Sequence, residues 1–295
     1  MPNDNLKSYL HLHVIVFIWG FTAILGKLIS IEALDLVWYR MLFASAIMTF
    51  VVMFTKEKIT IPFNVFLGFT VSGIIIAAHW LTFYQAIKVS NISITLACLS
   101  SGAFFASILE PIFHKRKVIW YELFFGLIVV VGLGIIFNVE TQYAAGIYLA
   151  ITSAFLSALF SVINGKYAKE YHPNIISLYE LSSGVFFLSI YMFFEGSFTP
   201  AFFTLSSTDF IWLFLLSSIC TAYAFSASVK VMKFLSSFTV MLTINLEPIY
   251  GIILAVLIFK DGEHMTPLFY FGALLILATV IANGIIKSNK KITTN

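Results

Sequence analysis

Apolar residues in this chain fall into long runs, separated by short polar hinges. Ten runs of about 19 to 26 residues lie at 10–29, 34–54, 65–86, 92–113, 119–137, 144–163, 175–194, 210–229, 234–259 and 265–286. That is the length of α-helix needed to cross the hydrocarbon of a bilayer. The connections leave no room for a soluble domain, and the longest, 195–209, is rich in Ser, Thr and Phe. No small-residue cleavage site follows the first run, so it is expected to be a span rather than a signal peptide. The pattern predicts an all-α integral membrane protein with ten transmembrane helices.

The halves repeat one another. Lys88-Val89-Ser90-Asn91-Ile92-Ser93 leads through an apolar run and a basic hinge, His114 to Lys117, to Trp120-Tyr121-Glu122-Leu123-Phe124-Phe125-Gly126. Lys233-Phe234-Leu235-Ser236-Ser237 leads through another apolar run and the hinge Lys260 to His264 to Pro267-Leu268-Phe269-Tyr270-Phe271-Gly272. The offset is 145 residues at the lysines and 146 at the glycines, close to half of 295. An odd number of spans per unit inverts the second unit relative to the first. The expectation is two inverted five-helix repeats, 1–140 and 141–295, divided in the hinge Asn138 to Gln142, with a substrate site between them.

Composition agrees with lipid as the solvent, since 60% of residues are hydrophobic and 11% charged, more apolar surface than a soluble domain can cover. The net charge of +3 is scattered over hinges and implies no nucleic-acid partner. Cys98 and Cys220 lie in apolar runs and are expected to pack unbridged. With the N-terminus inside, 13 of the 17 Lys and Arg residues face the cytoplasm, and Lys27, Arg40, Lys88 and Lys260 face out. The outer hinges instead carry Glu32, Asp35, Glu140, Glu195, Asp209, Asp261 and Glu263. Basic residues are retained inside, so both termini are expected in the cytoplasm, in a cell (inner) membrane.

Several polar residues lie where lipid makes them costly. Glu247 sits 13 residues after Phe234 and 12 before Phe259. A charged carboxylate at that depth costs roughly 2.5 to 3.5 kcal/mol on insertion scales. Pro248 cannot donate to the Ile244 carbonyl, freeing an acceptor beside the acid. Glu247 thus serves a site or, neutral, holds a kink to a neighbour. Gly102, with Ser100 and Ser101, is its counterpart region in the first half and either opens space or lets helices approach closely. Trp80 and Tyr84 share a face above Gly73 and Ala77, as a cavity wall with an aromatic rim or as an interfacial belt. His79 binds substrate, carries a proton or bonds a neighbouring helix. Arg40 and Glu180 occupy related positions in the two halves. Arg40 clamps a carboxylate or phosphate or snorkels to the interface, and Glu180 is a candidate for proton coupling or gating. Ser153, Ser157, Ser161 and Gly165, four apart, suggest a close helix contact.

The chain resembles the EamA-type family of the drug/metabolite transporter superfamily over nearly its whole length. The resemblance rests on Trp19-Gly20 in span one, Tyr39-Arg40 opening span two, and Trp80-Leu81-Thr82-Phe83-Tyr84-Gln85-Ala86-Ile87-Lys88 ending span three. Asn245-Leu246-Glu247-Pro248-Ile249-Tyr250 in span nine, Asp261-Gly262-Glu263 and Gly272 complete it. The first half departs from the pattern: counted back from Gly126, Gly102 stands where Pro248 would, and Lys117 where Glu263 would. The resemblance implies ten helices and transport of a small organic metabolite, and it adds Trp19 and Asn245 to the candidate substrate or coupling residues. A secondary transporter, exporting a compound such as an amino acid, is the leading expectation, with no cofactor. No G-x-x-x-x-G-K-[ST] loop is present to use ATP, which leaves proton coupling or solute exchange. The rival is a membrane enzyme with an intramembrane His79/Glu247 site, for which neither an H-E-x-x-H signature nor paired aspartates are found in the spans.

Overall fold

The computed structural model describes residues 2–114, 120–235 and 237–292. The basic hinge residues Lys115, Arg116 and Lys117 and the repeat residue Ser236 lie outside the described residues. Those described form helices and short turns without strands. The helices are α1 (Pro2–Leu28), α2 (Ala33–Thr55), α3 (Phe63–Val89), α4 (Ile92–Leu99), α5 (Gly102–His114), α6 (Trp120–Val139), α7 (Ala144–Tyr167), α8 (Pro173–Phe194), α9 (Ser207–Ser217), α10 (Ala224–Val231), α11 (Ser237–Ile244), α12 (Glu247–Phe259) and α13 (Pro267–Ile292).

Among the described residues, eight segments are long and apolar enough to cross a membrane, and two shorter apolar stretches, Phe124–Val139 and Pro267–Thr279, stand at the fifth and tenth runs. Three of the eight are interrupted. α4 and α5 are one span broken at Ser100–Ser101, and α11 and α12 one span broken at Asn245–Leu246. α9 and α10 are joined by a π-helical turn, Ser218–Tyr223. The sequence pattern shows all three as continuous apolar runs, because the polar residues at the interruptions, among them Ser100, Ser101, Thr221 and Asn245, are too few to divide a run.

The break in the first half begins α5 at Gly102 and the break in the second begins α12 at Glu247, 145 positions apart. At each, bonding tightens to three residues: Ser101 N donates to Cys98 O at 3.1 Å, and Leu246 N to Thr243 O at 3.0 Å. The Ser100 and Ser101 hydroxyls also donate to Leu96 O and Cys98 O, adding a second bond to carbonyls that already accept from the Ser100 and Ser101 N–H groups.

Packing treats the halves alike. α4 packs on α12 and α5 on α11, so the two broken spans run antiparallel beside each other. α7 packs against α3, α4 and α5, as α1 packs against α12, α11 and the π-turn segment. α2 packs on α8, and α6 on α13. The α3–α8 crossing is tight because Gly73 and Gly184 face each other's backbone. A Cβ on Gly73 would strike the Glu180 carbonyl, and one on Gly184 would sit 3.0 Å from Gly73 O. Small residues let membrane helices gain dispersion contacts that lipid cannot supply. Large apolar residues, among them Phe50, Phe54, Phe193 and Phe194, project outward where lipid would meet them. Cys98 and Cys220 are buried and unbridged.

Gly73→Ile is expected to destabilise the protein by about 1–3 kcal/mol, seen as a lowered thermal midpoint in detergent. An unchanged midpoint would contradict the close α3–α8 approach.

Candidate functional site

A central cavity of about 80 Å³ lies beside the two breaks, with Leu99, Ile244 and Glu247 flanking them in its wall. It is lined by Trp19 and Thr22 of α1, Arg40 of α2, Ile76, His79, Trp80 and Phe83 of α3, and Leu99 of α4. Ser157, Phe160 and Ser161 of α7, Phe225 and Ser228 of α10, Met232 just after α10, Met241 and Ile244 of α11, and Glu247 complete the wall.

Arg40 does not snorkel. It is only 2% exposed and turns inward, its Cζ 3.7 Å from the centre of the Trp80 ring. Its Nε donates to Thr221 Oγ1 at 2.7 Å and its Nη1 to Tyr84 Oη at 2.8 Å. Thr221 lies in the π-turn, and its own hydroxyl donates five residues back to Leu216 O. The wide turn therefore supplies the acceptor that aims the guanidinium, a use often found for such bulges. The turn also presents Cys220 O, which takes the Trp19 indole N–H at 3.0 Å. A guanidinium has five donors; Nη2 finds no partner among the described residues and is left for the cavity.

Glu247 enters from the opposite wall at the first turn of α12, where the half-helix dipole favours negative charge. The Thr22 hydroxyl stands 3.5 Å from its Oε1, although its shorter bond, 2.7 Å, goes to Trp19 O. Arg40 and Glu247 line one cavity, yet no ion pair joins them among the described residues. The break that exposes Glu247 also holds Asn245, 3% exposed, whose side-chain amide nitrogen is buried without a partner.

His79 lines the cavity, with its Nδ1 2.9 Å from Ser153 O. Ser153 Oγ lies 2.8 Å from the same nitrogen, so the tautomer decides whether Nδ1 donates to Ser153 O or accepts from the hydroxyl. Ser153 Oγ donates to His79 O, tying α3 to α7. His79 and Glu247 line the same cavity without a hydrogen bond between them. Trp80 lines the cavity, whereas Tyr84 is fully buried behind Arg40 as its acceptor. Gly102 lies at the rim of the break, where a Cβ would meet Met241 Cε at 3.0 Å and Ala154 O at 3.5 Å. Glu180 lies elsewhere, fully buried between α3, α7 and α8, and accepts from Asn164 Nδ2 at 3.0 Å.

Of the serine stripe on α7, Ser153 makes the helix contact and Ser157 and Ser161 line the cavity. Thr221, Phe160 and Phe225 are site residues that the sequence did not single out. A Ser or Thr every few residues in an apolar run is the one signal that pointed toward this wall.

Buried carboxylates tie together the acid-rich rim. Glu263, 0% exposed, accepts from Lys27 Nζ at 2.6 Å and from the N–H groups of Ile92 and Ser93 at 3.1 and 2.8 Å. It joins the α12–α13 hinge to α1 and to the start of α4. Asp209 accepts from Ser30 N and Oγ, and Glu140 from the Thr266 hydroxyl. Phe202, in the 195–209 connection, stacks on Tyr39 at 5.0 Å.

The EamA-like transporter family model matches the chain twice, over residues 6–138 and 144–284, and the chain belongs to that family. No curated protein matches it in sequence. A solved crystal structure at 13% identity shares its fold with a TM-score of 0.68, over 95% of this chain and 97% of that one.

With Cys98 and Cys220 replaced, Ser157→Cys is expected to react with a water-borne thiol reagent and Ser153→Cys to be protected. Equal labelling of both would remove the cavity from this wall.

Proposed function

We propose that this chain is a secondary transporter that moves a small zwitterionic metabolite, such as an amino acid or related compound, out of the cell. The observation that carries this reading is one cavity, at two helix breaks, faced by a guanidinium and a carboxylate that do not pair. Two buried charges held apart are costly, and a ligand bearing both complementary charges offsets that cost. Arg40 would take the carboxylate, with the half-helix N-terminus of α5 nearby contributing positive potential. Glu247 would take the ammonium. Trp19, Trp80, Phe83, Phe160 and Phe225 would surround an apolar side chain, with Asn245, His79 and Gly102 shaping the neighbouring wall.

The architecture proposed for this activity is ten spans in two inverted five-helix units, 1–140 and 141–295, with both termini in the cytoplasm of an inner membrane. The like packing of the two halves and the antiparallel broken spans support the inversion. Rocking of the units about the fixed site would open each rim in turn. Release of the ammonium leaves Glu247 without its partner charge, and a proton taken up there would restore neutrality for the return step. Glu247 thus links solute and proton movement in one group, and Glu180 remains a candidate for gating.

In reconstituted vesicles, efflux of apolar amino acids is expected for the native protein. Glu247→Gln should reduce it at least about thirtyfold, the equivalent of losing roughly 2 kcal/mol of charge-pair interaction, with the protein still inserted and folded. Native flux in that variant would remove Glu247 from the mechanism, and transport of a neutral sugar in place of amino acids would overturn the substrate class.

A further inference from the structure

A second hollow lies on the far side of the π-turn from the central cavity. It is a groove of about 560 Å³ at the basic rim, between the inner half of α2, the start of α8, the π-turn with α10, and His11 of α1. α10 separates the two spaces: Phe225 and Ser228 face the centre, whereas Tyr223, Ser226 and Lys230 face the groove. The groove opens outward, since Tyr223 is 48% and Phe234 50% exposed.

Its lining combines apolar, basic and neutral polar side chains; among the last, His11 bonds the Tyr223 hydroxyl and Ser226 donates to Asn174. Ile47, Met48, Val51 and Phe234 make an apolar wall, and Lys230 and Lys233 stand at its mouth. No acidic residue lines it. The nearest carboxylate, Glu57, is already engaged by His172 and by Asn174 Nδ2. Lys230 and Lys233 form no ion pair among the described residues. Two unneutralised ammonium groups above an apolar trough, at the water–lipid boundary, match an anionic headgroup with an acyl chain beneath it.

We propose that this groove is a binding site for an anionic phospholipid of the leaflet at the basic rim, with the phosphate between Lys230 and Lys233 and one acyl chain along Ile47, Met48 and Val51. The site is independent of the transport reading. A water-soluble phosphorylated compound would satisfy the lysines and waste the apolar wall, which is why the lipid is the occupant assigned. Because the groove and the Arg40 anchor share the π-turn, the lipid would brace the segment that positions the guanidinium.

The test is native mass spectrometry of the full chain in zwitterionic detergent, titrated with phosphatidylglycerol or with phosphatidylcholine of the same chains. One phosphatidylglycerol should be retained in preference to phosphatidylcholine. Lys230→Gln with Lys233→Gln should weaken that retention about tenfold. Val51→Trp, which fills the trough and keeps both lysines, should weaken it as well. Lys7→Gln with Lys169→Gln, which removes two charges of the same rim outside the groove, should leave it unchanged. Equal retention of the two lipids overturns the proposal, as does equal loss in the Lys7/Lys169 control. Competition by glycerol phosphate as effective as that by the lipid would assign the groove to a soluble anion and overturn it too.

Discussion

In hydrocarbon a peptide N–H or C=O without a partner costs several kcal/mol, so backbone can leave the helical pattern only where protein or a cavity receives it. That constraint organises this molecule. Its breaks, at Ser100–Ser101 and Asn245–Leu246, are not exposed to lipid; they lie at the crossing of the two antiparallel spans. In the first half, serine hydroxyls add a second bond to the carbonyls of Leu96 and Cys98 beside the break. In the second half, Pro248 removes a donor and Glu247 opens a new half-helix. The interior that tolerates broken backbone is also the interior that tolerates polar side chains, which is why the cavity collects both.

The charges in that cavity are held by different means. Arg40 is fixed by geometry: it stacks on Trp80, donates to Tyr84, and is aimed by Thr221 from a π-turn that exists only because α9 and α10 are out of register by one residue. Glu247 is fixed by backbone, at a helix start, with one weak side-chain neighbour. The rigid guanidinium and the lightly held carboxylate suit an account in which the first recognises and the second exchanges partners. The fastening of the acid-rich rim by Glu263 has the opposite character, a fully buried carboxylate with three elements depending on it.

Much of the fold was legible in the sequence, because hydrophobic run length reports bilayer thickness: eight runs meet segments long and apolar enough to cross, three of them interrupted, and the fifth and tenth meet shorter apolar helices. Membership of the family was legible in the order of short motifs. The site was legible only in part. Glu247, Arg40, His79 and Trp80 stood out because polarity at depth is expensive, and all four line the cavity. Tyr84 was placed with Trp80 by helical spacing, yet it supports Arg40 from behind, since spacing gives the face and not the neighbour. Glu180 stood out by the same polarity argument and lies apart from the cavity, bonded to Asn164. Thr221 was invisible because a threonine in an apolar run costs little, and a π-turn has no sequence signature. In the sequence Glu263 stands only as an acid of an outer hinge within a family motif, whereas it is buried and paired with Lys27, 236 positions away in the chain.

The central claim is the proposed one, that solute crosses when the rim joined by Lys27 and Glu263 parts. The most direct measurement is efflux from vesicles containing Lys27→Cys with Glu263→Cys, joined by a short cleavable thiol crosslinker across the position of the present ion pair. Transport should stop when the link forms and return when a reductant cuts it. Undiminished efflux with the link intact would contradict the account.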